Sequence, residues 1–262
     1  MSKLTPSWQQ HQPPIGNPQP QLRPDHMALS KVSQRIINCQ ACPRLRAYCA
    51  RIAQHKRRAF QSDSYWGRPV PGFGDGRARL MILGLAPAAH GANRTGRMFT
   101  GDSSGDTLMI ALHVTGFANL PTSLHLQDGL TLSDAYITSV VRCAPPDNRP
   151  SATEIVNCYE HLQAEMKAVS RVRVVVALGR IAFDSYWRWL ADRGVSVRPR
   201  PRFKHGSVYE PRDGPWLLAS YHPSLRNRNT GRLTQTMFTD VFRQARALLD
   251  QVKSPRNRGS KV

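Results

Sequence analysis

Leu80-Met81-Ile82-Leu83-Gly84 opens the stretch that decides the fold. A short apolar run that stops at a glycine is of strand length. It leads into Leu85-Ala86-Pro87-Ala88-Ala89-His90-Gly91-Ala92-Asn93-Arg94-Thr95-Gly96-Arg97-Met98-Phe99-Thr100-Gly101-Asp102. That loop is too long, and too rich in Gly, Asn and Arg, to be a routine strand–helix turn. Beyond it, Gly105 to Val114 carries Leu108, Ile110, Ala111 and Leu112 and reads as a helix.

The same alternation runs outward from this segment. Ala135 to Val141 ends at Arg142-Cys143, Val172 to Leu178 ends at Gly179, and Trp216 to Tyr221 ends at His222. Ser151-Ala152-Thr153-Glu154 is a capping box that opens a helix to about Val169, with Ile155, Tyr159, Leu162 and Met166 at helical spacing. Further helices are expected over Ile181 to Ala191 and Leu233 to Val252. Near-continuous apolar strands that alternate with helices predict a three-layer α/β/α domain with a mostly parallel central sheet. One such domain is expected over residues 29–251. Residues 1–28, rich in Pro and Gln, read as a disordered arm, and residues 252–262 as a basic tail. In sheets of this kind ligands collect outside the carboxyl ends of the strands. The loops Gly84–Asp102, Cys143–Pro150 and His222–Leu233 are therefore expected to meet around one pocket.

The 262 residues include 37 Lys and Arg against 17 Asp and Glu, a formal net charge of +20. The basic residues are spread along the chain, which favours a surface that tracks phosphates over a single basic tail. No stretch approaches the roughly 20 apolar residues of a membrane span. Met1 to Pro24 lacks the apolar core of a signal peptide, so no membrane partner and a cytoplasmic location are expected.

There are five cysteines. An odd number in a reducing compartment argues for a metal site and one spare thiol rather than a disulfide framework. Cys39-Gln40-Ala41-Cys42 is a C-x2-C pair, and Cys143 and Cys158 form a second pair. Cys39, Cys42, Cys143 and Cys158 are the preferred ligands, with zinc or an iron–sulfur cluster as the occupant. Cys49 is near enough to compete and is otherwise a free thiol.

Small residues at the start of the pocket loop let backbone amides approach a ligand. Arg94 and Arg97 are candidates for holding phosphates, and Phe99 for stacking a base. Asp102, just before a helix, has the bland alternative of an N-cap. Together the residues of Gly84–Asp102 resemble the first motif of the family 5 uracil-DNA glycosylases, the iron–sulfur "B" type of their superfamily. Val141-Arg142-Cys143-Ala144-Pro145-Pro146-Asp147-Asn148-Arg149-Pro150 resembles the second motif, and Ser220-Tyr221-His222-Pro223-Ser224 the third. The likeness spans roughly residues 35 to 250. It implies a [4Fe-4S] cluster stapling the domain and hydrolytic removal of uracil from double-stranded DNA by base flipping. It also implies tolerance of other deaminated bases such as hypoxanthine. Other branches carry a polar or acidic side chain in the first pocket turn; Gly84-Leu85-Ala86-Pro87-Ala88-Ala89 has none, which leaves Asp102 as the acidic candidate.

The roles expected under this resemblance are as follows. Asp102 holds the water and opposes the positive charge that builds on the sugar. His222 donates a hydrogen bond to the leaving base, Asn148 orients base or water, and Phe99 stacks on the flipped base. Ala86, Pro87 and Ala88 line the base site. Leu225, or Arg226 beside it, is the wedge, with Asn227 and Arg228 gripping DNA alongside Arg94 and Arg97. A monomer is expected. The competing readings are a damage-binding module that does not cut, a structural zinc protein, and more weakly a nucleotide-binding enzyme. Neither G-x-x-x-x-G-K-[ST] nor G-x-G-x-x-G follows a strand.

Overall fold

The computed structural model describes residues 24–195, 198–199 and 201–251. Its centre is a six-stranded sheet. The strands are β1 (Phe73–Gly74), β2 (Leu80–Gly84), β3 (Ala135–Ser139), β4 (Val174–Leu178), β5 (Val208–Tyr209) and β6 (Trp216–Ser220). They run in the order β1-β3-β2-β4-β6-β5. The inner four are parallel, and the short edge strands β1 and β5 are antiparallel. Ile82 of β2 sits in register with Ile137 on one side and Val176 on the other.

Strand side chains alternate faces, so each face of a buried parallel sheet needs its own cover. Leu80, Ile82, Ile137, Val174, Val176 and Leu218 share one core with Leu108, Met109 and Leu112 of α4 (Ser103–Val114) and with α8 (Gln235–Gln251). α8 offers Phe238, Phe242, Ala245 and Leu249, spaced by four, three and four residues along one stripe. Met81, Leu83, Tyr136, Val175, Ala177 and Leu217 share the other core. Leu45 and Cys49 of α2 (Pro43–Gln54), Leu162 and Met166 of α5 (Ala152–Ala168), and Phe183 and Tyr186 of α6 (Arg180–Ala191) cover it. Each such side chain contributes about 2 kcal/mol on leaving water. The result is the three-layer α/β/α arrangement expected from the strand pattern.

The expected capping box is present: the Ser151 hydroxyl accepts from Glu154 N–H, and the Glu154 carboxylate accepts from Ser151 N–H. Two differences stand out at the element ends. α1 (Pro24–Ile37) begins inside the stretch read as a disordered arm and packs on α5; residues 1–23 and the basic tail 252–262 lie outside the described residues. β3 ends at Ser139 rather than Val141. The Val140 and Val141 N–H groups donate instead to the Gly84 and Leu85 carbonyls, which clamps the exit of β3 to the pocket loop. No described helix is long and apolar enough to cross a membrane.

Candidate active site

The pocket loop after β2 folds around three close approaches. Phe99 stands in the left-handed region (φ 51°). Its ring lies over Gly84, where a Cβ would come within 3.0 Å of it. The same ring faces His222 from the end of β6, with centroids 6.0 Å apart and planes tilted by 30°. Positive φ at an aromatic residue is strained, and such strain collects at functional sites. Here it turns a flat apolar ring toward an imidazole above the carboxyl ends of the strands.

Asp102 is the N-cap that its place before a helix allowed. Its Oδ1 accepts from the Ser104 and Gly105 N–H groups at 2.9 and 3.1 Å, capping α4. Oδ2 takes no hydrogen bond among the described residues and packs into the space left by Gly91; a Cβ there would stand 2.0 Å from it. One oxygen therefore fixes the carboxylate and the other is unspent. Burial raises the Asp102 carboxyl above its ordinary value, against the pull of the two N–H donors and of Arg94.

His222 is half-buried, open on one side and crowded by protein on the others. That crowding pulls its imidazole down to about 4, so the ring is neutral at neutral pH. Its side chain makes no hydrogen bond among the described residues, which leaves a neutral N–H to donate. The backbone is held firmly: Asn227 Nδ2 and Ser224 N–H both donate to the His222 carbonyl at 2.8 Å. Ser224 caps the short helix α7 (Leu225–Asn229).

Several expected contacts change role. Arg97 is not a phosphate grip: it is 3% exposed, pairs with Asp128, and its Nε donates to Thr100 Oγ1 at 2.9 Å. Arg94 is likewise committed to protein. It pairs with Asp63 at 2.6 Å, lies 4.0 Å over the Phe60 ring, and donates to the carbonyls of His90 and Gly101. Those carbonyls belong to the residues just before Gly91 and Asp102, so Arg94 ties together the two walls of the carboxylate's cradle. Asn227 braces His222 rather than presenting itself to DNA. Leu225 and Arg226 are exposed beside it, and Arg228 is half-buried. Asn148 is exposed on a tight turn in which both Asp147 and Asn148 have positive φ. Its side chain makes no hydrogen bond among the described residues. Ala86 and Ala89 pack toward the α5-side core, Pro87 is buried and Ala88 half-buried.

Sequence reading missed Gly91, the Arg94 strut, and a Tyr65–His90 pair whose Oη and Nδ1 are 2.9 Å apart at the edge of this loop. The glycine next to His90 was visible, but which side chain needs its space is a tertiary fact.

On the α5 side, Cys39, Cys42, Cys143 and Cys158 line one hollow with Leu45, Val141 and Pro69. Cys49 is buried on α2, with its Sγ 3.6 Å from the Ala144 carbonyl, and does not line it. Arg142 N–H donates to Cys158 Sγ at 3.3 Å, and Asn157 Nδ2 lies 3.9 Å from Cys42 Sγ. Among the described residues no three Cys, His, Asp or Glu side chains stand close enough to hold a single metal ion. Burial pushes the Cys158 thiol up to about 12. Four thiols around one mostly apolar space, with N–H donors aimed at two of the sulfurs, fit the donor set of a thiolate-held cluster. A buried knot keeps this end rigid: the Arg142 guanidinium pairs with Glu165 at 2.7 Å, and Glu165 also accepts from Tyr136, Thr138 and Gly72 N–H.

A model of the "Uracil DNA glycosylase superfamily" matches residues 71–246. The chain is 52% identical over 222 residues to a type-5 uracil-DNA glycosylase of Mycobacterium tuberculosis, covering 84% of this chain and 82% of that protein. It is 47% identical over 215 residues to a type-5 uracil-DNA glycosylase of Thermus thermophilus, covering 82% and 95%. A type-4 uracil-DNA glycosylase of Thermotoga maritima is more distant, 28% identical over 213 residues. The chain belongs to the uracil DNA glycosylase superfamily, and within it to the type-5 family.

Proposed function

We propose that this chain excises uracil from double-stranded DNA by hydrolysing the N-glycosidic bond, and that it accepts other deaminated bases, hypoxanthine among them. The observation that carries the reading is a pair of unspent groups, one on the loop that carries Phe99 and one facing its ring. The free Oδ2 belongs to Asp102, three residues after Phe99, and the neutral imidazole of His222 faces the Phe99 ring.

Breaking the bond sends its electron pair onto the base and leaves positive charge on the sugar, so a catalyst must oppose both charges. Asp102 Oδ2 holds the attacking water and faces the sugar cation, while the N-cap bonds keep the carboxylate from turning away. A neutral His222 N–H donates to a carbonyl oxygen of the departing base, where negative charge grows. Phe99 stacks on the flipped base. Asn148 is free to turn its amide toward base or water, and the Ala86–Ala88 wall presents no side chain that discriminates among bases. Leu225 fills the gap left in the duplex, with Arg226 beside it on the phosphates.

Cys39, Cys42, Cys143 and Cys158 would hold a [4Fe-4S] cluster. When bound, it supplies a structural tie between the Cys39–Cys42 turn, α5 and the end of β3. Its contribution is to the stiffness of the Cys143–Pro150 loop.

Flipping costs least where a base is mispaired. Single-turnover excision should therefore run fastest on U·G and I·T duplexes and slower on U·A, with no cutting at undamaged bases. Equal rates on U·G and U·A would remove flipping as the discriminating step. Release of undamaged bases would remove the deamination preference.

A further inference from the structure

The loop between α4 and β3 starts and ends at the far side of the sheet, where Ala118 bridges Leu132. Its middle climbs to the pocket. The Gly101 N–H, one residue before Asp102, donates to the Ser123 carbonyl at 2.8 Å. Ser123 is fully buried, and its hydroxyl bonds Thr100 Oγ1 at 2.6 Å and receives Arg97 at 2.9 Å. Asp128 completes the knot. Its carboxylate accepts from the N–H groups of Leu124, His125 and Leu130 and from the Arg97 guanidinium. Those donors hold the acid well below the usual carboxylate range, so it stays charged.

The segment so fixed is apolar and exposed. Leu124 is 55% and Leu126 48% exposed, with His125 and Gln127 in solvent beside them. Single exposed leucines need no explanation. Two on one short tip, held out by a buried Arg–Asp pair, are organised for contact. Their position says with what. Leu225 lies three residues from His222, His222 faces Phe99, and Phe99 is two residues from Gly101, which is bonded to Ser123 next to Leu124. The two apolar points thus each adjoin residues of the pocket loops, Leu124 beside Ser123 and Leu225 three residues after His222.

We propose that Leu124 and Leu126 form a second apolar contact with duplex DNA, seated on the groove edge of the helix beside the flipped nucleotide. Leu225 would enter the stack on the other flank. The inference rests on the reading of this chain as a glycosylase of double-stranded DNA. A rigid apolar tip gains by leaving water against the sugars and base edges of a duplex held open there, and His125 and Gln127 supply polar contacts at its rim. A flexible single strand offers no fixed groove edge to that tip.

The test uses the full-length, cluster-loaded protein. Leu124→Ser/Leu126→Ser is compared with the parent and with Leu124→Met/Leu126→Met on a U·G duplex and on the same uracil in a single strand. The serine variant should bind the duplex about tenfold more weakly, in proportion to the apolar area lost. Its single-turnover rate at saturation and its use of the single strand should hold, and the methionine variant should behave as the parent. Unchanged duplex binding, or an equal loss on duplex and single strand, would overturn the inference. If the parent itself releases no uracil, the proposed function fails first, and the two failures are separate.

Discussion

Replacing Gly91 with alanine puts a methyl group where Asp102 already sits. The new Cβ would stand 2.0 Å from Oδ2, 2.9 Å from Cγ and 3.0 Å from Cβ of Asp102. An ordinary contact runs at about 3.5 Å, so either the carboxylate or the loop must yield by about 1 Å or more. The carboxylate is not free to swing: Oδ1 is bonded to two helix N–H groups, and losing such a cap costs about 1 kcal/mol. The loop is not free either, because Arg94 holds the carbonyls of His90 and Gly101 together. A displacement of about 1 Å at a reacting group costs about a hundredfold in rate. Gly91→Ala should therefore slow single-turnover uracil excision by about that factor, measured with enzyme in excess and alkali-cleaved product on a gel. Duplex affinity by fluorescence anisotropy should stay near the parent's, since Gly91 is buried. A Gly91→Ala protein that excises at the parental rate would show that Asp102 does not act from this position.

Asp102→Asn should cut the rate by about 10²–10⁴-fold. Its thermal midpoint should hold or rise: a carboxyl raised above 3.8 in the fold contributes stability below that value and loses it as pH rises, so at neutral pH the buried charge is a cost. For the same reason the parental rate should fall on acidification with a midpoint above 3.8, and His222, neutral above about 4, should add no alkaline limb. Glu165→Ala strands the buried Arg142 guanidinium and should lower unfolding stability in urea by about 3–5 kcal/mol. Cys158→Ser should lower iron and sulfide per chain, while Cys49→Ser should leave both in place; equal loss in the two would move the ligand set.

The layers of this fold were legible because strand β2 and its parallel neighbours are buried on both faces and read as unbroken apolar runs. The Ser151 capping box was legible because its bonds span only three residues. Asp102 was legible as a helix N-cap, and His222 as a residue just past the end of a strand. Arg94 and Arg97 were misread because an arginine in a Gly-rich loop looks the same whether it meets a phosphate or a carboxylate; Asp63 and Asp128, both 31 residues away in sequence, decide that. Asn227 was misread for a related reason: in a basic loop nothing local marks the amide that reaches back to the His222 carbonyl. The boundary of α1 was missed because Pro24 reads as the end of a Pro-rich arm, although proline is favoured in a helix's first turn.

The most direct test is a single uracil opposite guanine in a labelled duplex, incubated with excess protein and then treated with alkali. The account predicts free uracil and a break at that one position, with both lost in Asp102→Asn while duplex binding persists. Tight binding of the duplex by the parent protein, with the strand intact after alkali and no uracil released, would contradict it.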